Sequence, residues 1–179
     1  KTVETIYFGG GTPSLVDSEK IKYLLEKIQS TYKVSQEAEI TLELNPDDIT
    51  EKKITALKNI GVNRLSIGVQ SFYDRDLEFM NRSHNSTQAI DAVNLAYNAG
   101  IKNITIDLIY GIPGQSMKQW EENLNQLSSL NITHFSAYAL TVEPNTHLHY
   151  LVKSKKISQV EDSVIESQFK LLQDMSEKM

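Results

Sequence analysis

The sequence contains no cysteine, so it can build neither a disulfide nor a thiolate metal site. It contains no uninterrupted apolar run of the roughly 18 residues that crossing a bilayer requires, and no signal peptide is visible. Charge of one sign is also scarce. A net charge of −5 over 179 residues argues mildly against nucleic acid or an anionic membrane as the main partner. What remains is an ordinary globular composition, rich enough in aliphatic residues for one domain with a sizeable core. Both ends look cut. A core strand, Thr5–Phe8, begins almost at once, and the last helical pattern runs to the final residues, so a fragment of a longer protein is expected.

Strand and helix patterns alternate throughout. Strands are expected at Thr5–Phe8, Glu39–Leu44, Arg64–Val69, Asn103–Ile109 and Thr133–Leu140. Between them lie helical spacings. Ile21, Leu24, Leu25 and Ile28 form the first, and a helix from the N-cap Thr50 to about Ile60 the second. A short turn at Asp74–Met80 leads to a helix over Ser86–Ala99. A further helix carries Trp120, Leu124, Leu127 and Leu130. After the fifth strand the chain reads as irregular, and a final amphipathic helix carries Ile165, Phe169 and Leu172.

One junction repeats. Asn59-Ile-Gly-Val-Asn-Arg-Leu-Ser-Ile67 matches Asn98-Ala-Gly-Ile-Lys-Asn-Ile-Thr-Ile106 in character, and Leu130-Asn-Ile-Thr-His-Phe-Ser-Ala137 is a looser copy. Gly61 and Gly100 stand where a helix ends in a left-handed residue, and Asn131 occupies the corresponding place in the third copy. A helix-to-strand turn used repeatedly implies β/α units and a parallel sheet.

The strands carry an unusual face. Side chains alternate along a strand, and buried parallel strands normally read as unbroken apolar runs. Here one face is polar in four successive strands: Thr41 and Glu43; Ser66, Gly68 and Gln70; Thr105 and Asp107; Ser136 and Tyr138. A polar inner face favours an open barrel over a flat sheet covered on both sides. Active sites of β/α barrels gather at the C-terminal strand ends, where Gly9–Thr12, Glu43, Gln70 and Asp107 all fall. The glycine run Gly9-Gly10-Gly11-Thr12 lets a ligand approach free backbone amides; it is neither a Walker A loop nor a dinucleotide fingerprint. Two carboxylates and an amide suit a ligand with hydroxyls and an amine, and suit a phosphate poorly. Arg82 is a candidate clamp for a ligand carboxylate, against the plainer reading of a solvated arginine. His84, His134, His147 and His149 lack the spacing of a strong metal motif and read as structural.

These residues resemble a known family. Tyr7-Phe-Gly-Gly-Gly-Thr-Pro-Ser14, Glu43-Leu-Asn-Pro46, Ser66-Ile-Gly-Val-Gln-Ser-Phe72 and Asp107-Leu-Ile-Tyr-Gly-Ile-Pro-Gly-Gln115 look like the radical S-adenosylmethionine proteins related to oxygen-independent coproporphyrinogen III oxidase, in order across about residues 4–150. The resemblance implies a partial (β/α) TIM-like barrel, open, of which these strands are the second to sixth. It implies that Gly10, Gly11 and Thr12 contact the amino acid part of S-adenosylmethionine, and that Glu43, Gln70, Arg82 and Asp107 bind its nucleoside and methionine parts. It also implies a 4Fe-4S iron–sulfur cluster, held by three spaced cysteines upstream of the glycine motif, which this chain does not contain. Asn81-Arg-Ser-His84 departs slightly, since a glycine often precedes the arginine. The segment Ser136-Ala-Tyr-Ala-Leu-Thr-Val-Glu-Pro-Asn-Thr146 leans toward the haem chaperone branch. That branch implies a cytoplasmic protein that binds haem and passes it to respiratory proteins. The rival implication is oxidative decarboxylation of coproporphyrinogen propionates. A third reading, independent of the resemblance, is a barrel enzyme acting on a sugar or nucleoside with Glu43 and Asp107 as acid and base. On the resemblance, residues 1–150 form the barrel core, and 151–179 a linker and helix leading toward a further C-terminal domain.

Overall fold

In the computed structural model, which describes residues 1–132 and 134–178, five parallel strands form one sheet in the order β1-β2-β3-β4-β5. They are β1 (Val3–Phe8), β2 (Val34–Leu44), β3 (Arg64–Gln70), β4 (Asn103–Tyr110) and β5 (His134–Ala139), and each pairs in parallel with the next. This order has a direct consequence. Right-handed crossovers that always step in the same direction place every connecting helix on one face of the sheet. The other face is left for the interior of a barrel, so the fold is an open half-barrel, as expected, and not a doubly wound sheet. Thr133, where the fifth strand was expected to start, lies outside the described residues.

Seven α-helices among the described residues follow the strands: α1 (Ser18–Thr31), α2 (Glu51–Asn59), α3 (Asp74–Phe79), α4 (Ser86–Asn98), α5 (Met117–Ser128), α6 (His147–Lys153) and α7 (Asp162–Ser176). Their starts are set by local chemistry. Thr50 accepts the amide of Lys53, while Asn85 with Gln88 and Ser116 with Gln119 form capping boxes. Gly61 and Gly100 take the left-handed conformation (φ 102° and 95°) and close α2 and α4 as the repeated junction requires. Asn131 does not follow them. The described non-glycine residues with positive φ are Gln70, Asn81, Asn145 and Lys155, and the third junction turns instead through short bonds from Leu130 to Leu127 and from Ile132 to Leu130.

The core lies between the outer sheet face and the helices. Leu42, Leu65, Ile67, Val69, Ile104, Ile106 and Leu108 meet Ile54, Leu57, Val93, Trp120, Leu124 and Leu127 there. Leu24 and Phe169, expected among the apolar contacts, are exposed; Ile21, Leu25, Leu172 and the polar Gln168 take the buried places on their helices. α6 occupies a stretch that reads as irregular. It contains no buried residue and is capped by Thr146, so its pattern carries little amphipathic signal.

Candidate functional site

The polar inner face divides into two layers. In the lower one, toward the N-terminal strand ends, Arg64 of β3 bonds to both neighbouring strands. It donates to Thr41 at 3.4 Å, to Thr105, and pairs with Glu39 at 3.5 Å. Thr41 and Thr105 are therefore structural: they anchor a partly buried arginine below the cleft.

The upper layer is different. A cleft of about 220 Å³ opens at the C-terminal strand ends, lined by Gly11, Thr12, Glu43, Gln70, Arg82 and Asp107 together with Asn45, Ser66 and Gly68. Six of the seven expected site residues meet there. The seventh, Gly10, is tied to the same place by its amide, which donates to Glu43 Oε2 at 3.0 Å. Gly10 and Gly11 have φ of 85° and 64°, and a Cβ at either would meet no atom within 4 Å. The loop thus presents backbone to open space, as a ligand cradle does.

Each side chain is held by the fold. Glu43 Oε1 accepts the Tyr7 hydroxyl at 2.7 Å, so both of its oxygens are anchored. That suits holding a ligand better than moving a proton. Burial and the neighbouring Glu43 push the Tyr7 phenol up from its ordinary value. Arg82 donates through Nη2 to Asn45 Oδ1 at 3.0 Å and to the Gly68 carbonyl at 3.1 Å. It is half-buried, burial lowers its pKa, and among the described residues no carboxylate pairs with it directly. The expectation of a solvated arginine fails for this reason. Gly68 makes the arrangement possible, because a Cβ there would lie 2.9 Å from Gln70 Nε2 and 3.1 Å from Arg82 Nη2. Tyr7 and Asn45 were not singled out from sequence as site residues, although Tyr7 lies on the same strand face as Gly9, two residues on.

Asp107 receives the Ser66 hydroxyl at 3.3 Å. Burial raises its pKa above the usual 3.8, and Ser66 and Ser136 oppose the shift. The sign of the stability effect follows. An acid whose pKa is raised by folding favours the fold fully below the unfolded value, and that contribution is lost as pH rises through the raised folded value. Asp107→Asn removes the penalty. Urea unfolding at several pH values is therefore expected to show Asp107→Asn gaining stability over the wild type as pH climbs from below 3.8 to neutrality. A difference independent of pH would contradict the burial.

His84 is buried, with Nε2 3.0 Å from the Val69 carbonyl, and burial lowers its pKa. No group of three metal-ligating side chains occurs among the described residues.

The strand-end cleft of this β/α half-barrel offers one half-buried guanidinium, two anchored carboxylates and a glycine loop, groups complementary to a carboxylate, an amine and hydroxyls. Residues 1–127 match the Radical SAM superfamily, and the chain belongs to that family. It is 39% identical over 156 residues to the heme chaperone HemW of Bacillus subtilis (strain 168), covering 87% of this chain and 41% of the relative. It is 39% identical over 146 residues to the heme chaperone HemW of Escherichia coli (strain K12), covering 82% of this chain and 39% of that one. Among solved structures it resembles the coproporphyrinogen III oxidase HemN of Escherichia coli, described as a radical SAM enzyme, with a TM-score of 0.72 and 26% identity over 97% of this chain and 39% of that one. The chain thus spans about two-fifths of the length of these relatives.

Membership implies S-adenosylmethionine and an iron–sulfur cluster as cofactors. The cleft's donor set fits the first. The second does not fit these residues: with no cysteine in the sequence, they supply no thiolate ligand to a cluster. No described helix is long and apolar enough to cross a membrane.

Proposed function

We propose that this chain is the S-adenosylmethionine-binding half-barrel of a haem chaperone. The observation that carries the reading is the meeting of Glu43, Gln70, Arg82 and Asp107 with the glycine loop in one cleft. Arg82 pairs with the methionine carboxylate. The Gly10–Gly11 backbone, its Gly10 amide tied to Glu43, and the Thr12 hydroxyl border the amino acid part. Glu43 and Asp107 accept from the ligand's amine and ribose hydroxyls, since a carboxylate that already accepts one or two bonds keeps lone pairs for more. S-adenosylmethionine supplies radical chemistry only in company with a reduced cluster, and these residues contribute the binding and orientation alone.

The haem part of the reading is supported by the names of the 39%-identical relatives and by a second cavity. This cavity, of about 740 Å³, shares Gln70 and Arg82 with the polar cleft and is otherwise walled largely by Phe79, Met80, Ile109, Leu140, Leu148 and Leu151. A large apolar chamber with a few polar groups at one side suits an amphipathic macrocycle such as haem or a porphyrinogen. A cytoplasmic location, delivery to respiratory proteins, and residues 151–179 leading to a further domain belong to the same reading. The alternative, oxidation of coproporphyrinogen III, is favoured by the likeness to HemN.

In the full-length protein, Glu43→Ala and Asp107→Ala are each expected to weaken S-adenosylmethionine binding about tenfold, the effect of losing roughly 1.4 kcal/mol of hydrogen bonding, with the barrel still folded. Unchanged affinity by calorimetry removes them from the site. The branch is decided by giving the anaerobically reconstituted protein coproporphyrinogen III, S-adenosylmethionine and a reductant. Protoporphyrinogen formation establishes the oxidase. No turnover with an intact cluster, together with haem binding, supports the chaperone.

A further inference from the structure

Gln70 holds a backbone conformation that glutamine seldom takes. Its φ is 69°. The amide of Ser71 donates to the Val69 carbonyl at 2.9 Å, bridging Gln70 from one neighbour to the other. An i→i+2 bond around a residue of positive φ is a γ-turn of the rare, strained kind. The sheet slips at the same point: pairing passes from Ile67↔Ile106 to Gln70↔Leu108, so β3 advances three residues while β4 advances two. The bulge re-aims the end of β3 into the cleft. Strain of this sort at a non-glycine residue persists only where its surroundings over-determine it.

The surroundings are a buried polar network with one carboxylate at its centre. Asp76, on α3, is 0% exposed. Its Oδ2 accepts the Ser71 hydroxyl at 3.1 Å and the Gln115 amide at 2.9 Å. The Ser71 oxygen in turn accepts the Tyr73 amide at 3.1 Å, and the Phe72 amide donates to Asn123 Oδ1 at 2.6 Å. Every residue from 71 to 73 is thereby fixed. Gln115 is itself held, because Gln168 of α7 donates to it at 3.1 Å while accepting the Gly111 amide at 2.8 Å. The second Asp76 oxygen accepts no hydrogen bond among the described residues and lies 4.0 Å from Arg75 Nη1. A fully buried carboxylate with one oxygen so poorly served is costly to keep.

We propose that Asp76 is a positioning residue: it holds the γ-turn that aims Gln70 into the cofactor cleft and touches no ligand itself. The proposal rests on the reading of the cleft as an S-adenosylmethionine site. It distinguishes two roles that a loss of stability alone would confuse. If Asp76 only stabilises the fold, its replacement lowers the melting temperature and leaves the affinity of the folded protein unchanged.

The test is a double-mutant cycle in the full-length protein, with S-adenosylmethionine affinity read by calorimetry well below each variant's melting temperature. Asp76→Asn is expected to weaken binding about tenfold in the wild-type background and less than twofold in a Gln70→Ala background, where nothing remains to be aimed. Ser71→Ala cuts the link between the turn and Asp76 and serves if Asp76→Asn does not fold. Gln70→Gly, which accepts φ 69° without strain, is expected to raise the melting temperature while losing affinity. If Gln70→Ala itself leaves affinity unchanged, Gln70 is not part of the ligand site and both readings of it fall. If Gln70→Ala weakens binding but Asp76→Asn and Ser71→Ala do not, the cleft stands and the positioning role is overturned. An Asp76→Asn effect of equal size in both backgrounds also overturns it.

Discussion

Arg82→Ala in the full-length protein lowers the affinity for S-adenosylmethionine at least about 30-fold, because truncating one partner of a desolvated charge pair costs roughly 2–5 kcal/mol. The size follows from how the arginine is kept. Its side chain is half-buried, burial depresses its pKa, and its bonds to Asn45 and Gly68 both leave from Nη2. A guanidinium has five donors in a planar fork. The fold has half-buried a cation without, among the described residues, an ion-pairing carboxylate in direct contact, an arrangement that costs free energy until an anion arrives. The same argument gives a second expectation. Without ligand, Arg82→Ala melts at the same temperature as the wild type or slightly above it, since a half-buried charge with no directly paired carboxylate among the described residues has gone. Arg82→Lys does not restore binding, because an ammonium cannot bond Asn45 and Gly68 and also present a two-point fork. Calorimetric titration and thermal melts measure both. Unchanged affinity in Arg82→Ala would take the arginine out of the site.

Much of this was legible in the chain itself. The repeated junction at Gly61 and Gly100 fixes parallel β/α units because a left-handed helix end followed by an apolar residue is a local device, spelled in consecutive residues. The polar strand face was equally legible, since alternation has a period of two whatever the tertiary context. Its division into two layers was not. Thr41 and Thr105 look like Glu43 and Asp107 in sequence, and only the bonds of Arg64 to both threonines set the lower layer apart from the cleft. α6 was missed because none of its side chains is buried, so there is no stripe for periodicity to detect.

The network around Asp76 escapes a sequence reading for a different reason. Asp76 and Ser71 are five residues apart, but Asp76 and Gln115 are 39 apart and Gln115 and Gln168 are 53 apart. Nothing local marks a glutamine on α7 as buried; the amphipathic pattern points to Phe169 beside it, which is exposed. Positive φ at Gln70 is likewise silent in sequence, because the usual marker of that conformation is glycine. The residues that line the cleft were therefore legible in sequence, and the polar network beside Gln70 was not.

Trp120 shows how far that network reaches into the fold. It is fully buried, its indole N–H donates to the Gln168 carbonyl at 2.9 Å, and its ring lies 5.4 Å from that of Tyr110. Trp120→Ala is expected to cost about 3–5 kcal/mol, from lost burial and the cavity left behind. Against a typical total of roughly 5–15 kcal/mol, that leaves a marginal protein. Trp120→Phe keeps most of the packing but loses the indole bond to the Gln168 carbonyl, which as a mid-helix group of α7 keeps its own helical donor, and costs about 0.5–1.5 kcal/mol. Urea unfolding checks the pair, and a loss below about 1 kcal/mol for Trp120→Ala contradicts the packing described. The backbone of Gln168 takes the indole while its side chain serves Gly111 and Gln115. Loosening Trp120 thus frees the residue that supports Asp76 from behind. For that reason Trp120→Phe, which still folds, is expected to weaken S-adenosylmethionine binding as well as stability, although no atom of Trp120 lines the cleft.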